Sequence, residues 1–122
     1  MINRISPPNY FRPYTKFYHS SDLPDVKSAG QNNRFGRGVY LSDTVKGAKI
    51  ERPGGTVVKI ETNLGKNLDI TDRGAIVDNK LAKDIARGAK KHGYDSITTK
   101  SVRPGGANNT VIFDPKNVKM KD

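Results

Sequence analysis

Residues 78–114, DNKLAKDIARGAKKHGYDSITTKSVRPGGANNTVIFD, set one amphipathic helix directly ahead of two strands, and that order decides the fold class. Leu81, Ala82, Ile85, Ala86 and Ala89 recur at helical spacing, while Lys80, Lys83, Arg87, Lys90 and Lys91 occupy the rest of the circumference. Asp78 reads as the N-cap and Gly93 as the C′ residue, which gives a helix from Asp78 to His92. Beyond it, Ser96–Val102 and Thr110–Asp114 have strand composition and are joined by the turn formers Arg103-Pro104-Gly105-Gly106-Ala107-Asn108. A hairpin after a helix departs from the strand–helix alternation of a parallel sheet and points to α+β.

The upstream half agrees. Lys16-Phe17-Tyr18-His19-Ser20 reads as a short strand, and Leu23–Lys27 as the start of a short helix capped by Ser21 or Asp22. Residues 28–38, SAGQNNRFGRG, are turn formers that predict a mobile loop, with Val39-Tyr40-Leu41 the first apolar run after it. Pro53-Gly54-Gly55 turns the chain into the strand Thr56–Thr62, and Leu68-Asp69-Ile70 suits another short strand. Pro7, Pro8 and Pro13 bar a long helix near the start, so residues 1–15 read as an irregular arm or linker and residues 16–122 as the folded domain.

A length of 122 residues suits one domain. The hydrophobic share of 34% lies below the roughly 45–50% of an average globular chain, which describes a polar, loop-rich body with a modest core. With 22 Lys+Arg against 12 Asp+Glu the formal charge is +10, a field that draws in polyanions: nucleic acid, an acidic protein or a phosphorylated small molecule. Without cysteine, thiolate metal sites, disulfides and cysteine nucleophiles are excluded, and two histidines do not make a multi-histidine metal centre. No apolar run approaches the roughly 18 residues of a membrane span, so neither a metal nor a membrane is an expected partner.

His19 sits in an aromatic strand beside Ser20 and Ser21, where by itself it reads as a core histidine satisfied by the backbone; His92 reads as a helix C-terminal cap. The segment Arg34-Phe35-Gly36-Arg37-Gly38-Val39-Tyr40 contains G-x-G but lacks a third glycine and precedes a strand, unlike a dinucleotide fingerprint, which follows one. Its glycines read either as a simple turn or as places where backbone approaches a ligand, with Arg34 and Arg37 set for a phosphate and Tyr40 offering a flat ring.

RFGRGVYLSD also resembles the loop-to-strand segment of the ADP-ribosyltransferase superfamily, in the branch of poly(ADP-ribose) polymerases and diphtheria toxin, named for a His-Tyr-Glu triad. The first motif of that branch is similar to Phe17-Tyr18-His19-Ser20-Ser21, and the third to Asn108-Asn109-Thr110-Val111-Ile112-Phe113-Asp114, with Asn109 standing where the family has Glu. Pro115–Lys119 resembles the end of related bacterial and phage domains, so the likeness spans residues 16–119. It implies a split β-sheet with one long and one or two short helices, and NAD as substrate in the cleft between the halves. By the same resemblance His19, Tyr40 and Asn109 are the catalytic set. His19 would bind the adenosine ribose, the Ser20 backbone the nicotinamide amide, and Tyr40 would stack on the nicotinamide. Phe35 would cover part of the other face, and Arg37 or Arg34 would meet the pyrophosphate.

The chemistry constrains these roles. An electron-rich ring favours a cationic pyridinium, and cleavage of its ribosyl bond passes through an oxocarbenium-like ribose. Asn109 accepts a hydrogen bond but brings no charge to that cation and no general base. In the polymerases a serine and a second tyrosine follow the central Tyr; those offsets fall here on Ala48 and Glu51, which leaves Glu51 as a displaced carboxylate candidate. Asp114 lies on the opposite face from Asn109 by strand alternation and reads as a turn initiator before Pro115. The expectation is an NAD-dependent mono-ADP-ribosyltransferase with poly(ADP-ribose) synthesis disfavoured. The resemblance further suggests a toxin effector, delivered within a larger bacterial polypeptide into a target-cell cytoplasm and matched by an acidic immunity protein. Its acceptor would be a protein or structured RNA. The alternatives are an NAD glycohydrolase, an ADP-ribose- or nucleic-acid-binding module without turnover, and a basic RNA-associated domain in which the motifs are coincidental.

Overall fold

The computed structural model describes residues 15–21, 34–51 and 54–118, and they form a six-stranded mixed sheet with two α-helices among the described residues. The elements are β1 (Thr15–Ser21), β2 (Val39–Ser42), α1 (Val45–Glu51), β3 (Thr56–Thr62), β4 (Asn67–Asp69), α2 (Asn79–Lys91), β5 (Ser96–Lys100) and β6 (Asn108–Ile112). Single 3₁₀ turns lie at Thr71–Arg73 and Pro115–Asn117. The fold is α+β, as the order of helix and hairpin predicts.

The strand order is β3-β1-β2-β6-β5-β4, antiparallel throughout except for the parallel pair β4–β5. β1 and β3 pair along seven residues, from Thr15 opposite Thr62 to Ser21 opposite Thr56. β1 and β2, by contrast, meet at a single pair, Tyr18 opposite Ser42. The sheet is therefore continuous but nearly divided, with β3–β1 on one side of a narrow seam and β2–β6–β5–β4 on the other. The seam is short because β2 has four residues and the chain turns into α1 at Thr44.

Directly opposed residues share a face of the sheet, so the register sorts the core into two layers. On one face lie Phe17, Val39, Leu41, Ile60 and Ile112, closed by Leu64 and Val118. On the other lie Ile97 and Val111, covered by Ala82, Ala86 and Ala89 of α2 together with Phe35 and Ile76. Three small side chains let α2 lie close to the strands. Its ends are those the sequence announces: Asp78 Oδ1 accepts from the Lys80 and Leu81 amides at 2.9 and 3.1 Å, and Gly93 takes φ 82°. Leu81, assigned to the buried face by periodicity, is instead 48% exposed, because it sits in the first turn beyond the edge of the cover.

Other boundaries shift for local reasons. β5 stops at Lys100 because the Ser101 hydroxyl accepts the Arg103 amide and bends the chain out. β6 runs Asn108–Ile112 and ends before Asp114, which caps the following 3₁₀ turn through Lys116 N–H at 3.0 Å. α1 was not expected. Leu23–Lys27, residues 28–33 of the expected loop and nearly all of the 1–15 arm lie outside the described residues; Arg34–Gly38 is an ordered turn leading into β2.

Candidate functional site

β1, β2 and β6 are consecutive in the middle of the sheet, and positions 19, 40 and 109 fall one on each. The register runs Lys59–Tyr18–Ser42–Asn109–Thr99 across five strands. With strands about 4.8 Å apart, the backbone of Asn109 lies about 10 Å from that of Tyr18; position 19, one residue on, alternates to the other face of β1, that of Phe17. Tyr40 stands two residues before Ser42 on β2, on the same face as Ser42 and Asn109. The backbone of His19 pairs with Val58 and that of Ser20 with Val57; the side chains of both lie outside the described residues.

Asn109 is half-buried, and its Oδ1 accepts the Ser42 hydroxyl at 2.7 Å. Thr99, opposite Asn109 on β5, is 5% exposed, and its hydroxyl is buried without a hydrogen-bond partner. Ser42, Asn109 and Thr99 thus form a polar row on a face whose next row, Tyr40–Val111–Ile97, is aromatic and aliphatic. Neither Ser42 nor Thr99 was singled out from sequence. The available signal was alternation from Tyr40 for Ser42, but pairing of Ser42 and Thr99 with Asn109 required the register.

Tyr40 does more than present a ring. The Phe35 amide donates to its hydroxyl at 3.1 Å, and the hydroxyl donates to the Gly36 carbonyl at 2.7 Å, so Tyr40 clasps the turn that precedes its strand. Burial holds the phenol well above its ordinary value, against the opposing pull of the Phe35 amide and the Arg34 charge, so the hydroxyl keeps its proton. Phe35 is 1% exposed within the α2-side cluster, and in this arrangement its ring serves the core. Arg37 is exposed, whereas Arg34 is half-buried with its guanidinium 5.6 Å from the centre of the Phe35 ring. The two glycines are explained internally. Gly36 has φ 83°, and a Cβ on Gly38 would meet Val111 Cγ2 at 2.6 Å and the Ile112 carbonyl at 2.8 Å, so Gly38 allows close approach to β6 rather than to a ligand.

α1 follows β2 directly and carries Ala48 and Glu51. Thr44 Oγ1 accepts the Gly47 amide at 2.9 Å, a hydroxyl cap ahead of Val45, Ala48 and Ile50 that was the sequence signal for this helix. Glu51 accepts the Ser101 hydroxyl through Oε2 and lies 3.6 Å from Arg103 Nε through Oε1, tying α1 to the loop between β5 and β6. Asp114 is engaged as a cap and exposed. The His92 amide closes the end of α2 on the Gly88 and Ala89 carbonyls. Among the described residues no three His, Cys, Asp or Glu side chains gather as metal ligands, and no helix is long and apolar enough to cross a membrane. Compared with known proteins, the chain matches no family model and no curated protein.

Proposed function

We propose that this chain is an NAD-dependent mono-ADP-ribosyltransferase whose site lies along the seam between β1, β2 and β6. The observation that carries the reading is that Tyr40 and Asn109, far apart in sequence, share one face of the neighbouring strands β2 and β6, next to β1, the strand that carries position 19 on its other face. One further feature supports it: the sheet narrows to one pair at the β1–β2 seam. In this reading the Tyr40 ring lies against the nicotinamide and Asn109 faces the ribose. The Ser42 hydroxyl orients the Asn109 amide, leaving Nδ2 and a second Oδ1 lone pair for a ribose hydroxyl. A neutral amide orients that hydroxyl without stabilising a ribosyl cation, and the resemblance ties chain growth to the Glu that Asn109 replaces, so single transfer is the proposed outcome. The +10 charge suits a polyanionic acceptor such as structured RNA, with a protein acceptor the other case, and an acidic immunity protein as the neutralising partner of a delivered toxin.

A second reading has its own observation. Among Lys59, Tyr18, Ser42, Asn109 and Thr99 there is no carboxylate, which favours a module that binds ADP-ribose without turning NAD over. Incubation with NAD labelled in its adenosine half, with and without a bacterial lysate, decides between them. Transfer predicts label in protein or RNA together with nicotinamide release. Release that ignores the lysate indicates hydrolysis, and no release with retained ADP-ribose binding supports the binding module. Because Tyr40 holds the 34–36 turn, the variants to assay are Asn109→Ala and His19→Ala, each checked by thermal melting; turnover indifferent to both removes the site assignment.

A further inference from the structure

Arg34 presents a problem that the fold does not solve. Its Nη2 is buried and has no hydrogen-bond partner, and no carboxylate pairs with its guanidinium among the described residues. The guanidinium lies 5.6 Å from the centre of the Phe35 ring, a contact that supplies no acceptor for the buried Nη2. A buried N–H of a charged group left without an acceptor is costly even when the rest of the guanidinium is half-exposed. Buried polar groups left open in a native fold mark either strain or a missing ion or ligand.

The surroundings locate what is missing. Arg34 begins the turn whose next two residues are clasped by the Tyr40 hydroxyl, through Phe35 N–H and the Gly36 carbonyl. The backbone of Arg34 thereby stands at the start of a fixed turn, and its charge lies near enough to Tyr40 to act on the phenol. Tyr40 in turn shares its face with Ser42, Asn109 and the unpartnered Thr99 hydroxyl. Arg37, two residues past the clasped pair, is exposed and already solvated.

We infer that Arg34, and not Arg37, is the anion-binding residue of this site, taking a diphosphate group through its planar fork while Tyr40 and the polar row hold the attached sugar and base. A diphosphate fits better than a carboxylate because two of its oxygens meet two guanidinium N–H groups in parallel while others remain in water. The inference rests on the reading of this site as one for a dinucleotide and names the residue that recognises its charged centre.

Titration calorimetry at low salt tests it, with NAD and inorganic pyrophosphate as separate probes on wild type, Arg34→Met, Arg34→Lys and Arg37→Ala. The wild type is expected to bind both. Arg34→Met should weaken each about 10- to 100-fold, Arg34→Lys should fall between, and Arg37→Ala should change either by less than about threefold. Without ligand, Arg34→Met should melt no lower than wild type, since it removes a buried N–H that has no acceptor; a structural arginine would give the reverse. Unchanged NAD affinity in Arg34→Met, or a loss that follows Arg37 instead, overturns the inference and leaves the dinucleotide reading standing. Pyrophosphate bound through Arg34 without any NAD binding upholds the anion site and removes the dinucleotide reading. Wild-type protein that takes neither probe overturns the inference. Should Arg34→Met fail to fold, Arg34→Lys carries the comparison, because it keeps the charge and loses the fork.

Discussion

At the residue scale, Tyr40 joins turn, core and candidate site in one side chain. Its hydroxyl serves Phe35 N–H and the Gly36 carbonyl, and its ring packs against the α2-side cluster. Tyr40→Phe keeps the ring and strands the Phe35 amide, so urea unfolding should show a loss of about 1–3 kcal/mol while ring stacking on a ligand persists. The raised phenol also gives a pH signature. Its contribution is complete below the ordinary tyrosine value of about 10 and declines as pH rises above it, because the unfolded chain ionises first. Stability measured from pH 9 upward should therefore fall less steeply in Tyr40→Phe than in wild type. Thr99 makes the opposite case: with no partner for its hydroxyl, Thr99→Val should leave the melting temperature unchanged or raise it, by up to about 1 kcal/mol equivalent, while weakening any ligand that uses the hydroxyl. Gly38→Ala drives a methyl into Val111 and the Ile112 backbone and should destabilise by about 1–3 kcal/mol in the same urea assay.

At the scale of elements, α2 was legible and α1 was not, and the contrast has a physical basis. α2 spans 13 residues with an Asp cap, a small-residue face and basic residues in its last turn, so its own sequence carries most of what it needs. Asp78→Ala should cost about 1 kcal/mol in thermal melts through loss of the cap. Along its outer side Asp84 bridges Lys80 and Arg87 at 3.1 Å each, and the Lys80 hydrogen bond leads in holding the Asp84 carboxyl below its ordinary value. What that exposed pairing adds is present above the ordinary carboxylate range and disappears as pH falls through the lowered one. α1, at seven residues, is too short to announce itself by periodicity. It exists because the Thr44 cap, Gly47 against Ala107, and the Glu51 contacts to Ser101 and Arg103 seat it against the β5–β6 loop. Glu51→Ala should accordingly speed hydrogen exchange in residues 101–107 while leaving α2 protection unchanged.

At the scale of the molecule, the narrow β1–β2 seam separates two unequal parts of one sheet. β1 is bonded along its whole length to β3 and at a single pair to β2, so its amides should fall into two exchange classes. Those directed at β3 should exchange slowly and those directed at β2, apart from the Tyr18–Ser42 pair, quickly. A ligand seated across the seam as proposed should slow the second class and leave the first unchanged. That pattern links a property of the bare sheet to the function assigned to it.

The sequence by itself determined the α+β class, the helix at Asn79–Lys91, the hairpin that follows it, the strand at Thr56–Thr62 and the exclusion of thiolate and multi-histidine chemistry. Each of these is written in local periodicity, capping residues or composition. Only the tertiary structure decided that β1, β2 and β6 are neighbours, that Ser42 and Thr99 flank Asn109, that Gly38 answers to β6, and that Arg34, among the described residues, has a buried Nη2 without a hydrogen-bond partner. Those facts depend on strand order and register, set by which apolar faces must be buried together across long sequence separations, and no window of neighbouring residues contains them.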